Sequence, residues 1–167
     1  NSLAALFEDD QAKILKNNDD GIVPSVVTYL ENGEVLVGRE ALANFSENPE
    51  NTVYSAKRFF GKTYTELGEK LDRLPFQVLG DDSSLKFKVR GREVAPLEVS
   101  AEVLRNIRER ATEITGQSLK RAVITVPAYF DDTQRQETRI AAKAAGFEVE
   151  RIINEPTAAA LAYGIDL

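Results

Sequence analysis

The stretch AVITVPAYFDDTQRQ, at residues 122–136, decides the fold of this chain. It opens with a continuous apolar and β-branched run that stops at Pro127, as expected for a strand buried on both faces of a sheet. Asp131 then lies three residues before Gln134, which is the spacing of a capping box at the start of a helix. The stretch therefore predicts a buried strand followed by a helix that reaches Gly146.

A second strand and a second helix follow. Residues 147–153 have the composition of a strand, and Pro156 opens an alanine-rich helix. The order strand, helix, strand, helix predicts a parallel pair of strands joined by a right-handed crossover. Pro127 and the pair Asn154 and Glu155 would then lie at the same carboxyl edge of the sheet, where open α/β sheets bind their ligands.

The upstream sequence predicts an α/β domain with short strands, a helical region and one longer helix. Strands are predicted at residues 2–7, 12–15, 25–30, 35–37, 76–79 and 85–89, with turns at residues 8–10, 17–21 and 32–33. Residues 39–74 are predicted to be helical, with interruptions at Pro49 and Gly61. An amphipathic helix is predicted from an N-cap at Ser100 to Gly116.

The composition excludes several classes of function. The chain has 167 residues, 43% of them hydrophobic, which suits one domain with a core. It contains no Cys and no His, so disulfide frameworks, thiol or imidazole catalysis and the usual zinc sites are excluded. With 21 Lys and Arg against 27 Asp and Glu, the net charge is −6, and we expect no nucleic-acid partner. No membrane segment or signal peptide is expected either, so a cytoplasmic location fits best. Without Cys and His, the polar side chains that remain include carboxylates, hydroxyls and lysines, which suit Mg²⁺ and phosphate.

Two short patterns have structural interpretations. The GKT at residues 61–63 is not a phosphate-binding loop, because the position that requires the first glycine is Ala56. The GIDL at residues 164–167 follows a helix-like sequence, so Gly164 is interpreted as a helix-ending glycine.

Four other residues have local interpretations when they are taken alone. Glu155 would favour the positive end of a helix dipole, and Lys57 would be an exposed lysine on a helix. Pro127 would end a strand, and Arg135 would lie on the exposed face of the following helix.

Three segments together resemble the DnaK-type seventy-kilodalton heat-shock chaperone family. They are AVITVPAYF at residues 122–130, QRQ at 134–136 and RIINEPTAAALAYG at 151–164. The resemblance extends collinearly over the whole chain and includes AKR at residues 56–58. The DD at residues 131–132 is similar to HscA, the member type specialised in iron–sulfur assembly, whereas general members more often carry Asn-Asp there.

The resemblance implies the α/β fold of actin and hexokinase ATPases, a ribonuclease H-like mixed sheet with helices. Residues 1–167 would be the first of two lobes that close over Mg-ATP, with an inserted subdomain at approximately residues 39–97. The chain has no Met and begins at Asn1, so we expect it to be a part of a longer protein. The family's first strand and Gly-Thr-Thr turn would precede Asn1. The second phosphate loop, the second lobe and the substrate-binding domain would follow.

The resemblance also implies roles for five residues. Lys57 matches the family's catalytic lysine, which orients the attacking water and offsets charge on the γ-phosphate. Glu155 matches the acidic residue that holds water near Mg²⁺ and the phosphates. Asn1 matches the last position of the first phosphate-binding turn. Pro127 and Arg135 match the conformational switch that carries the nucleotide state to the peptide-binding domain.

The parent would therefore be an ATP-hydrolysing chaperone that assists protein folding during stress. Its expected ligands are ATP or ADP with Mg²⁺. Its expected partners are unfolded client polypeptides, a J-domain co-chaperone and a nucleotide-exchange factor. Two alternatives remain open from the residues alone: another actin-fold protein such as a sugar kinase or a filament protein, and a non-catalytic interaction fragment.

Overall fold

The first half of the chain contains short strands and short helical turns, and the longer helices follow. The computed structural model describes residues 1–16, 20–81 and 83–164. In these residues the strands are β1 (Ala5–Glu8), β2 (Gln11–Ile14), β3 (Val26–Tyr29), β4 (Val35–Val37), β5 (Thr52–Tyr54), β6 (Gln77–Gly80), β7 (Leu85–Val89), β8 (Arg92–Val94), β9 (Arg121–Val126) and β10 (Glu148–Asn154). The α-helices are α1 (Arg39–Ala43), α2 (Tyr64–Leu67), α3 (Pro96–Thr115), α4 (Asp132–Ala144) and α5 (Glu155–Ala162). Turns of 3-10 helix lie at Pro49–Asn51, Ala56–Phe59 and Gly68–Arg73.

The strand–helix–strand unit at the end of the chain is confirmed. β9 and β10 pair in parallel, with Asn154 opposite Val126 at the carboxyl end, and α4 joins them. The capping box that begins α4 is also present. Asp131 accepts the Gln134 N–H at 2.9 Å, and the Gln134 side chain accepts the Asp131 N–H at 3.0 Å.

The other described strands form antiparallel sheets. β1 pairs with β2, the order β4-β3-β5 forms a second sheet, and the order β6-β7-β8 forms a third. The predicted hairpin between β3 and β4 is confirmed, and Gly33 in its turn has a φ of 86° that suits glycine. Residues 17–19 of the predicted turn and residues 165–167 of the GIDL pattern lie outside the described residues. Gly164 follows α5 with a φ of 70°.

Three local predictions are wrong. The segment predicted as helical contains β5, because Val53 pairs with Val27 and both are fully buried in a sheet. The helix predicted from Ser100 begins instead at Pro96, whose fixed φ suits the first turn. β9 is not buried on both faces, since Val123 is 56% exposed. An apolar run favours a strand, but its burial depends on the layers that cover it.

The main core lies between the two three-stranded sheets and α3. Its fully buried members include Val27, Val53 and Phe87, and Val99 and Val103 contribute from α3. Aromatic rings pack edge to face within it, and this geometry favours one fixed arrangement of the core side chains.

A second cluster of buried side chains lies beneath the carboxyl edge of β9 and β10. It contains Phe60, Val126 and Phe130, with Leu97 and Ile152 packed against it. This second cluster joins the turn after the 3-10 helix at Ala56–Phe59 to the end of the parallel strands. The fold thereby brings two distant segments of the sequence to one edge.

Candidate functional site

Lys57 and Glu155 meet at the carboxyl edge of the parallel strands. The Lys57 Nζ donates to the Glu155 Oε1 at 3.3 Å, although the two residues are 98 positions apart in the sequence. Their side chains remain 51% and 46% exposed, so the ion pair is accessible to solvent and to a ligand. The structure therefore places side by side the two residues that the resemblance assigns to catalysis.

The turn that carries Lys57 is anchored on two sides. It is a single turn of 3-10 helix, Ala56–Phe59, and not the longer helix predicted. Phe59 is buried in the main core, 4.9 Å from Phe87 between ring centroids, whereas the next residue, Phe60, is buried in the second cluster. Burying adjacent aromatic residues in different clusters leaves little freedom to the backbone between them and Lys57.

A left-handed residue begins this turn. Ser55 has a φ of 54°, which is costly for a residue other than glycine, and its N–H donates to the carbonyl of Ser25 at 3.3 Å. Strained backbone of this kind persists only where the surrounding structure holds it. The strain lies two residues before Lys57, at the edge of the candidate site.

Glu155 is positioned by the end of a strand and the start of a helix. β10 ends at Asn154, and Glu155 and Pro156 begin α5. A carboxylate in the first turn of a helix interacts favourably with the helix dipole, so the local interpretation of Glu155 also holds. The ion pair with Lys57 is a second contact, which local sequence does not predict.

Pro127 and Arg135 lie close to this edge. Pro127 is buried and directly follows β9, and its carbonyl accepts the Phe130 N–H at 3.1 Å. Arg135 does not project freely into solvent. Its Nε donates to the Phe130 carbonyl at 3.0 Å and its Nη2 to the Asn154 Oδ1 at 2.7 Å. Arg135 thus joins the segment after Pro127 to the residue that precedes Glu155.

Asn1 is exposed and is connected to the Lys57 turn indirectly. Ser2 exchanges two backbone hydrogen bonds with Val23, at 2.7 and 2.8 Å, and its hydroxyl lies 3.1 Å from that of Ser25. The carbonyl of Ser25 accepts the hydrogen bond from Ser55 described above. The start of the chain is therefore linked through Ser25 to the segment that carries Lys57.

One residue of this region, Glu137, was missed from the sequence, and Gln134 was predicted only as part of the capping box. Gln134 is 6% exposed and donates to the Phe60 carbonyl at 3.0 Å, and Glu137 accepts the Gly61 N–H at 2.9 Å. The order of the strands places Asn154 at this edge, but its hydrogen bond with Arg135 is not predicted from the sequence. The contacts of Gln134 and Glu137 span more than 70 positions and have no local signal.

Electrostatic effects are visible at Glu137. Burial raises the pKa of this carboxyl above its usual value, the hydrogen bond from the Gly61 N–H acts in the opposite direction, and the charge of Asp131 raises it further. Glu137 therefore ionises less readily than an exposed glutamate.

The donor set at this edge suits a metal ion only through water. Among residues 1–16, 20–81 and 83–164, no group of three or more Asp, Glu, His or Cys side chains is arranged to hold a metal. Glu155 offers one carboxylate, and Mg²⁺ commonly keeps several waters when few protein ligands are available. In the same described ranges, no helix has the length and apolar character needed to cross a bilayer.

A family model described as Hsp70 protein matches residues 1–167, the whole chain. The match agrees with the resemblance inferred from the three sequence segments. It also agrees with the mixed α/β architecture and with the fold of actin and hexokinase ATPases that the family shares.

Proposed function

The chain belongs to the Hsp70 protein family, and on that premise we propose that it is the first lobe of a chaperone ATPase in which Lys57 and Glu155 act in ATP hydrolysis. The observation that carries the proposal is the 3.3 Å contact between the Lys57 Nζ and the Glu155 Oε1. A cation and a carboxylate, both half exposed at the ligand edge of a parallel pair, suit phosphate and its associated water.

Lys57 supplies a positive charge that a turn anchored at both flanks holds in place. An ammonium group held near a transferring phosphoryl group stabilises the charge that spreads over its oxygens. Such a group also donates hydrogen bonds to an attacking water, which it orients. The ion pair with Glu155 keeps the ammonium at the edge before a nucleotide arrives.

Glu155 is proposed to hold water beside the phosphates and a Mg²⁺ ion. When bound with ATP, Mg²⁺ supplies neutralisation of the phosphate charge. The carboxylate of Glu155 accepts hydrogen bonds from water, and its place in the first turn of α5 keeps it oriented toward the edge. Asn1 is proposed to contribute its backbone to the first phosphate-binding turn.

Pro127 and Arg135 are proposed to form the switch that reports the nucleotide state. The contact between Arg135 and Asn154 supports this role, because Asn154 directly precedes Glu155. A shift at Glu155 would change the hydrogen bonds of Arg135 and thereby the position of α4. Residues 39–97 are proposed to form the inserted subdomain of the lobe.

The partners and location follow from the proposed function and are proposals too. Unfolded polypeptides, a J-domain co-chaperone and a nucleotide-exchange factor would act with the complete protein, in the cytoplasm. The resemblance to HscA stays a prediction. Asp131 does not help to decide it, because it has a local role as the cap of α4.

The test is ATP turnover by the full-length protein that carries this chain, measured with and without a saturating unfolded peptide. We expect hydrolysis that the peptide accelerates. Turnover that needs a sugar acceptor, or ATP-dependent sedimentation of filaments, would instead favour the other actin-fold functions. Turnover that is indifferent to peptide would contradict the chaperone proposal.

A further inference from the structure

Two side chains of α4 hold the turn that follows Lys57. The Gln134 Nε2 donates to the Phe60 carbonyl at 3.0 Å, and the Gly61 N–H donates to the Glu137 Oε2 at 2.9 Å. Gln134 and Glu137 are three positions apart, so they project from the same face of the helix. We call these two hydrogen bonds the Phe60–Gly61 clasp.

The clasp is connected to Lys57 by the backbone. The Phe60 N–H donates to the Lys57 carbonyl at 3.3 Å, while the Phe60 carbonyl is the acceptor for Gln134. Lys57 lies in the single 3-10 turn that ends at the clasp, so the clasp fixes the end of the turn that carries it. Movement of Gly61 would therefore move Lys57.

The packing between α4 and the turn is close. Gly61 has a φ of 62°, and a Cβ built there would lie 3.2 Å from the Gln134 Cγ and 3.6 Å from the Thr133 Cγ2. The turn thus approaches α4 closely enough that a side chain at Gly61 would be strained and crowded. The short distance lets the Glu137 carboxylate reach the Gly61 N–H directly.

The same helix also holds the partner of Lys57. Arg135, between Gln134 and Glu137 in the sequence, donates to Asn154, and Asn154 precedes Glu155. The first two turns of α4 therefore contact both segments that form the ion pair. The relative position of these two segments therefore depends on α4.

We propose that Glu137 is a positioning residue for Lys57: by accepting the Gly61 N–H, it sets where the ammonium lies relative to Glu155. The geometric part of this proposal concerns the protein without nucleotide, whereas its effect on hydrolysis rests on the proposed function. Glu137 is a better subject for a test than Gln134, because Gln134 also caps α4. Glu137→Gln would keep an acceptor oxygen, and Glu137→Ala would remove it.

The first test needs no nucleotide. In the full-length protein, Glu137→Ala should make amide exchange of the segment containing Gly61 roughly tenfold faster, because the side-chain acceptor of the Gly61 N–H is lost. The rate of Lys57 acylation, measured by mass spectrometry, should change in Glu137→Ala in the same direction as in Glu155→Gln. Glu155→Gln is the comparison because it breaks the ion pair from the other side. Glu137→Gln should stay near wild type in both measurements. Glu113→Ala, the same change at an exposed position of α3, is the control and should have no effect.

The second test separates positioning from general damage. In single-turnover hydrolysis, Glu137→Ala should lower the rate by about tenfold, with the KM for ATP within about twofold, as expected for a displaced catalytic group. Glu137→Gln should restore the rate. Unchanged acylation of Lys57 in Glu137→Ala would overturn the proposal whatever the exchange at Gly61, as would acylation in Glu137→Gln that differs from wild type. If acylation responds as expected but Lys57→Ala hydrolyses ATP normally, the positioning stands and the proposed function fails.

Discussion

Substituting Lys57 by alanine should separate the contribution of this residue to catalysis from its contribution to stability. In the full-length protein we expect hydrolysis to slow by roughly a hundredfold or more, with nucleotide affinity nearly unchanged. The free energy of unfolding should change little. The contrast between these two effects follows from the exposure of the ion pair.

The magnitude comes from the geometry of the pair. Two unit charges 3.3 Å apart attract by about 1 kcal/mol at the dielectric constant of water. Because both side chains are about half exposed, the contribution of the pair to folding should be at most about 1 kcal/mol. A hundredfold loss of rate corresponds to about 2.7 kcal/mol. The exposed pair cannot supply that amount in the ground state, so a loss of this size would arise in the transition state.

The assay is single-turnover hydrolysis, with urea unfolding measured on the same preparations. Arg58→Ala is the matched control, because Arg58 is an exposed cation in the same turn. It should retain wild-type hydrolysis. A wild-type rate in Lys57→Ala would refute the reasoning and leave Lys57 as an exposed lysine with a surface ion pair. An equal loss in Arg58→Ala would show that the turn's net charge matters, and not the position of Lys57.

Three further outcomes are expected. The 167-residue chain by itself should bind ATP weakly or not at all, because one lobe would supply only part of the phosphate contacts. A micromolar or tighter Kd in calorimetry, which is a binding free energy of roughly 8 kcal/mol, would contradict this. In Arg135→Ala, saturating peptide should stimulate turnover less strongly, and the lost coupling energy should be about 1 to 3 kcal/mol. Stimulation equal to wild type would show that Arg135 is not part of the switch. Gly80→Ala should lower the free energy of unfolding in urea by more than Gly91→Ala, since a Cβ at Gly80 would lie 2.0 Å from the Ser84 carbonyl oxygen while Gly91 has nothing within 4 Å. For Gly91→Ala we expect about 1 to 2 kcal/mol from its positive φ alone.

The elements with a strong local signal were predictable from the sequence. The capping box at Asp131 and the apolar run of β9 lie within a few residues of each other, and the parallel pairing of β9 with β10 followed from their order. The boundaries of α3 and the strand β5 were not predictable in the same way. β5 depends on the pairing of Val53 with Val27, and a contact of that range overrides local helix propensity.

Lys57, Glu155, Pro127 and Arg135 were also open to prediction, since each lies in a segment that resembles the family, whereas Glu137 was not. What the sequence by itself determined is the family and the carboxyl edge of the parallel pair, and it named Lys57 and Glu155 as candidate site residues. Only the tertiary structure decided that these two side chains touch, and that α4 holds both through Gln134, Glu137 and Arg135. The reason is physical: periodicity and capping act over a few residues. The ion pair joins positions 98 apart and exists because the second cluster packs the Lys57 turn against the ends of β9 and β10.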